Sequence, residues 1–130
     1  GVPPDFDGNR PSGNNLIDLF AYLIRKYGRM DTSEYARIMQ LKTSELRGAI
    51  LAIGGMSAME WRNRYLLLEA QELMERTDMS ITAIAAKLGF SQPSVFSKFF
   101  RTLTKSQPWE WRIEKKKPGS NRKRTYHCYE

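Results

Sequence analysis

The chain has 130 residues, with 21 Lys and Arg against 14 Asp and Glu, one His, one Cys and a net charge of +7. That length fits one domain by size, with room for two small helical cores, while one Cys leaves no intramolecular disulfide and no long apolar run or signal-peptide pattern points to a membrane or to export. With one His, no Gly-rich phosphate loop and no metal-ligand cluster, the composition argues against an enzyme and implies neither a metal nor a cofactor.

Residues 1–15, GVPPDFDGNRPSGNN, hold three Pro and three Gly, so residues 1–13 read as a disordered leader or linker. A first residue of Gly rather than Met reads as processing or excision from a longer protein. A first helical lobe is expected over 14–55. Within it Leu46, Ala49, Ile50 and Ile53 form an apolar stripe, and Gly55-Met56-Ser57 ends the segment. Ser44, Arg47, Gly48 and Leu51 fall on the opposite face, behind Lys42 and Thr43.

Residues 57–77 contain no Gly or Pro and are rich in Leu, Glu, Ala, Gln and Arg, which predicts one long helix. About 21 residues at 1.5 Å rise span roughly 31 Å, near the ~34 Å that separates successive major grooves on one side of a duplex.

A second lobe is expected over 78–112. Ile81, Ile84, Ala85 and Leu88 make its first apolar face, and Gly89 supplies a residue able to end a helix in the left-handed conformation. Ser91 is the expected N-cap of the next helix, with Pro93 in the first turn, where a missing N–H costs little. Phe96, Phe99, Phe100 and Leu103 then follow at i, i+3, i+4 and i+7. Ser94, Ser97, Lys98 and Arg101 repeat that spacing on the other face. One side of the helix is therefore core and the other polar and basic. The phenylalanines and Trp111 are expected to pack inside and Trp61 to anchor the long helix, while Trp109 is left open between lobe core and surface.

The two lobes repeat one unit. Ala36, Gln40 and Leu41 stand 49 residues before Ala85, Gly89 and Phe90, and Leu46 and Ile50 stand 50 before Phe96 and Phe100.

The second segment resembles the second helix-turn-helix of the arabinose-regulator (AraC/XylS) family of bacterial transcription regulators. The residues that carry the match are Ile84-Ala85, Gly89-Phe90, Ser94, Phe96-Ser97-Lys98, Phe100-Arg101, Pro108 and Trp111-Arg112. With the repeat, the resemblance covers about residues 14 to 112. It implies an all-α fold of two three-helix helix-turn-helix lobes joined by a long central helix. It also implies a sequence-specific DNA-binding regulator whose recognition helices enter adjacent major grooves of double-stranded DNA in the bacterial cytoplasm. RNA polymerase is a partner the family implies, and a small-molecule effector would need an upstream domain outside these residues.

Several positions depart from the family pattern. Lys105 and Gln40 stand where Gly is usual, Lys42 where a capping Ser is usual, Leu66 where Arg is usual, and Gly48 and Leu51 where Arg and Lys are usual. The first unit is thus degenerate, and the second is expected to supply most of the reading. The expected DNA-binding set is Ser91, Gln92, Pro93, Ser94, Val95, Ser97, Lys98, Arg101 and Arg112, with fewer contacts from Lys42, Thr43, Ser44 and Arg47. Lys98 would donate to guanine O6/N7 or to a phosphate, Ser94 and Ser97 to several base edges, and Val95 would meet a thymine methyl. Arg101 and Arg112 would hold phosphates.

Charge is concentrated at the end. Residues 112–130 hold Arg112, Lys115, Lys116, Lys117, Arg122, Lys123 and Arg124 against Glu114 and Glu130. Residues 113–130 read as a basic flexible tail, either a phosphate-seeking arm or a solubilising terminus. His127 and Cys128 read as incidental tail residues. Two other functions stay open: a protein-interaction module that docks a partner through Gly48 and Leu51, and an architectural DNA binder with little sequence preference.

Overall fold

A computed structural model describes residues 13–116; the expected leader, save its last residue, and the tail beyond Lys116, with His127 and Cys128, lie outside them. Seven helices make up the described residues: α1 (Gly13–Tyr27), α2 (Thr32–Ile38), α3 (Thr43–Gly54), α4 (Ala58–Arg76), α5 (Ile81–Lys87), α6 (Pro93–Thr104) and α7 (Pro108–Lys116). The fold is all-α, as expected. It divides into two compact units, with the boundary between Tyr65 and Leu66 inside α4.

In the first unit α1 buries Leu16, Leu19, Phe20, Leu23 and Ile24, a stripe at three- and four-residue spacing. Tyr35, Ala36 and Met39 of the α2 segment and Leu46 and Ile50 of α3 complete the core. Phe20 meets the Tyr35 ring edge-on, with centroids 5.2 Å apart, and Trp61 lies 5.4 Å from Phe20 and stacks on Tyr65 at 5.7 Å. Trp61 thus fixes the start of α4, as its position suggested. Ile53 was expected in the α3 stripe, yet it is 43% exposed. The end of α3 packs through Gly54, where an added Cβ would stand 3.2 Å from the Trp61 ring.

The second unit is built around Leu66, Leu67, Ala70 and Met74 of α4, Ile84 and Ala85 of α5, and Phe96, Phe100 and Leu103 of α6, all buried. Leu88, Phe90 and Trp111 close it. The rings of Phe90 and Phe96, and of Phe100 and Trp111, meet edge-on at 5.2 and 5.9 Å, a geometry that adds about 0.5–1.5 kcal/mol per pair beyond area burial. Phe96, Phe100 and Leu103 of the stripe are core, whereas Phe99, also expected inside, is half-buried with its ring 4.9 Å from that of Phe90; α7 extends the aromatic cluster through Trp111.

The long helix is 19 residues rather than the expected 21. Ser57 lies just outside it and caps its start, accepting from the Glu60 amide at 3.1 Å. Thr77 lies just beyond its end, its hydroxyl donating to the Leu73 carbonyl at 2.6 Å. At 1.5 Å per residue α4 is about 28 Å long. The second lobe also runs past its expected end at 112, because α7 continues to Lys116.

Candidate nucleic-acid interface

Each unit sets its exposed helix behind the same turn. In the first, Leu41 N–H donates to Ala36 O at 2.9 Å and Gln40 N–H to Arg37 O at 3.1 Å; in the second, Phe90 N–H donates to Ala85 O at 3.0 Å and Gly89 N–H to Ala86 O at 3.1 Å. This six-to-one closure needs a left-handed residue. Gly89 supplies it at φ +86°, and Gln40 is forced into it at φ +61°. At the far ends of α3 and α6, Gly55 and Lys105 hold φ +71° and +66°. Lys105, which stands where Gly is usual, thus holds left-handed backbone.

Helix α6 begins one residue later than expected. Gln92, extended at φ −146° and ψ 149°, is the N-cap, and Pro93 is the first helical residue. Ser91 is therefore not the cap. A proline disfavours helical backbone in the residue before it, so Pro93 itself sets the boundary at Gln92. From there Phe96 and Phe100 are fully buried, and Ser94, Lys98 and Arg101 are exposed on the other side. Ser97 is half-buried, and Val95 is 36% exposed. Ser91, Gln92 and Pro93 are exposed beside them. The Ser94 hydroxyl lies 3.5 Å from the Gln92 side-chain oxygen, a long contact that leaves both groups available.

Helix α3 starts at Thr43 behind Lys42. An ammonium group has no acceptor, so Lys42 caps nothing with its side chain. Only the reverse bond forms: the Lys42 amide donates to Glu45 Oε1 at 2.8 Å. Lys42, Ser44, Arg47, Gly48 and Leu51 are exposed and Thr43 is half-buried. Arg47 and Leu51 line an open groove of about 370 Å³ with Thr32, Ser57, Ala58 and Met59.

Arg112, expected on phosphates, is engaged within its own lobe. Its guanidinium donates from Nε to Met74 O at 3.0 Å, from Nη2 to Thr77 O at 2.7 Å and from Nη1 to Met79 O. These carbonyls belong to the end of α4 and the loop before α5, so the planar fork is occupied in closing its own lobe. Fifty residues earlier, Arg62 does related work: its Nη1 donates to Met30 O at 2.7 Å. It is 6% exposed, and burial lowers its pKa below the usual arginine value. Arg62 was not anticipated from the sequence. The signal was there, because Glu-Trp-Arg occurs at 60–62 and again at 110–112. Trp109 is 59% exposed, so it belongs to the surface rather than to the lobe core.

The residues expected at the interface thus group by element: Ser94, Val95, Ser97, Lys98 and Arg101 on α6 with Ser91, Gln92 and Pro93 at its start, and Thr43, Ser44 and Arg47 on α3 behind Lys42. A family described as a helix-turn-helix domain matches residues 35–113. The regulatory protein PocR of Salmonella typhimurium is 41% identical over 58 residues, which are 45% of this chain and 19% of that protein. The chain therefore spans about a fifth of that relative. Among solved structures, the DNA-binding domain of the global transcriptional factor AdpA, crystallised with a target DNA, is 22% identical with a TM-score of 0.68, covering 78% of this chain and 92% of that one. An AraC-type regulator from Chromobacterium violaceum is 23% identical with a TM-score of 0.65, covering 80% and 91%. The C-terminal domain of the response regulator AraT from Geobacillus stearothermophilus is 19% identical with a TM-score of 0.69, covering 88% and 96%.

Proposed function

Given that this chain belongs to the AraC-type helix-turn-helix family of DNA-binding transcription regulators, we propose that its two exposed helices, α6 above all, read a specific duplex through the major groove. The observation that carries this is the division of α6: Phe96 and Phe100 are wholly inside, while Ser94, Lys98 and Arg101 face out from a start fixed by Pro93. Lys98 donates to a guanine edge or a phosphate, and Ser94 and Ser97 select among base edges that offer donors or acceptors. Arg101 sits nearer the end of α6 and sets register on phosphates. Because Arg112 is engaged with its own backbone, phosphate anchoring falls to Arg101, to Lys42 and to amides at the helix starts.

The second unit dominates. Four hydroxyl or cationic groups, Ser94, Ser97, Lys98 and Arg101, recur along one face of α6, whereas α3 offers Ser44 and Arg47 and then turns apolar. The resemblance to the regulatory protein PocR and to the DNA-binding domain of the transcriptional factor AdpA supports regulation of transcription; a bacterial cytoplasmic setting and RNA polymerase as second partner belong to the same reading as what the family implies. Among the described residues no helix is long and apolar enough to cross a membrane.

Competition between a selected duplex and random duplex at near-physiological salt tests the function. A regulator discriminates by about 1,000-fold or more. Weak discrimination would assign an architectural role instead, and an absence of binding would favour a protein-interaction module.

A further inference from the structure

The first unit presents an apolar edge where the second presents cations. The 50-residue register sets Ser44 against Ser94, Arg47 against Ser97, Gly48 against Lys98 and Leu51 against Arg101. All four lie on the side of α3 away from the buried Leu46 and Ile50. Leu51 is 58% exposed although it is a large aliphatic side chain. One turn before it, a Cβ added to Gly48 would meet nothing within 4 Å. The outer face of α3 is therefore low at Gly48 and projects at Leu51, with Arg47 beside both.

An apolar side chain finds one kind of complementary surface in a major groove, the C5 methyl of thymine. A glycine in the same face removes the side chain that would otherwise hold the helix away. We infer that Leu51 is a specificity-determining residue that reads thymine methyls in the first unit's half of the site, with Gly48 admitting α3 close to the base edges. The inference rests on the proposed entry of α3 into the groove. A protein side chain seated in the groove beside Leu51 is the competing occupant. The equivalence of α3 with α6, and the continuity of Leu51 with Ser44 and Arg47 on one helix face, favour DNA.

The test uses the full chain and a duplex selected by it, with each thymine replaced in turn by deoxyuridine, which deletes the methyl and keeps the pairing. For at least one thymine outside the base pairs that depend on Lys98, the wild type binds the uracil duplex about fourfold more weakly, the value of burying one methyl. Leu51→Ala binds the thymine and uracil duplexes alike, and its thermal melt matches the wild type because the side chain is exposed. If the wild type discriminates against random sequence yet ignores every deoxyuridine in that half-site, the inference about Leu51 is overturned and the DNA function stands. A Leu51→Ala variant that keeps the uracil penalty also overturns it, assigning the methyl to another residue. Failure to discriminate any duplex from random sequence would remove both together.

Discussion

The Arg62 guanidinium donates to the Met30 carbonyl at 2.7 Å, and Met30 directly precedes Asp31, the residue from which α2 starts. In the second unit Arg112 donates to the carbonyl of Met79, which precedes the α5 cap Ser80. One arginine in each unit thus reaches back 32 or 33 residues to hold the entrance of the helix-turn-helix. The second does more, because it also binds the carbonyls of Met74 and Thr77 where α4 ends.

Arg112→Ala should therefore behave as a stability variant. It leaves the Met74 and Met79 carbonyls without their charged donor and the Thr77 carbonyl with Lys116 Nζ alone at 3.2 Å, and we expect a loss of about 3 kcal/mol in urea or thermal unfolding followed by Trp fluorescence. Arg112→Lys should recover only a minor part, since one ammonium cannot reproduce a planar fork over three oxygens. At a temperature where the variant stays folded, the salt dependence of DNA binding should be unchanged. A slope reduced by about one would instead place Arg112 on a phosphate.

Among the described residues two non-glycines, Gln40 and Lys105, hold positive φ, and both should respond in the same direction. Gln40→Gly and Lys105→Gly relieve left-handed backbone and are expected to stabilise by about 1 kcal/mol apiece, against the small loss of the 3.3 Å Lys105–Thr102 contact. Gly55→Ala should move stability the other way by a similar amount. Thermal melts that show no gain for either glycine variant would mean that these turns are not strained.

Much of this architecture is legible in residue spacing. The α6 stripe declares itself because Phe96, Phe99, Phe100 and Leu103 follow the helical period, and the opposite face then follows by geometry. The start of α6 falls one residue after the Ser91 that cap preference favours, because Pro93 constrains Gln92 to extended backbone. Ile53 has the right period for burial, yet it is 43% exposed, because the period fixes a face and not what covers the end of that face. Arg112 is the instructive case. A cation near the end of a basic segment suggests phosphate, and nothing local reveals that three backbone carbonyls 33 to 38 residues away await it. The doubled Glu-Trp-Arg marks a structural device, since a residue reserved for base reading need not recur in two units that differ at Gly48 and Lys98 and at Leu51 and Arg101.

Gln71 offers a check on the second core. It is fully buried on α4, and neither its amide oxygen nor its nitrogen has a hydrogen-bond partner among the described residues. Gln71→Leu should stabilise by about 1 kcal/mol or more, because a buried amide without partners costs more than an apolar side chain of similar volume. Destabilisation would show that the amide is satisfied by a buried water.

The central claim is that the Ser94, Lys98 and Arg101 face of α6 reads base pairs. Selection of bound sequences from a random library, run side by side with the wild type and Lys98→Ala, tests it most directly. The account predicts a wild-type consensus in which Lys98→Ala relaxes one position, at a cost of about 1–3 kcal/mol for the preferred base, with the other positions kept. An identical consensus bound uniformly more weakly would move Lys98 to the phosphate backbone, and no consensus for the wild type would contradict the account.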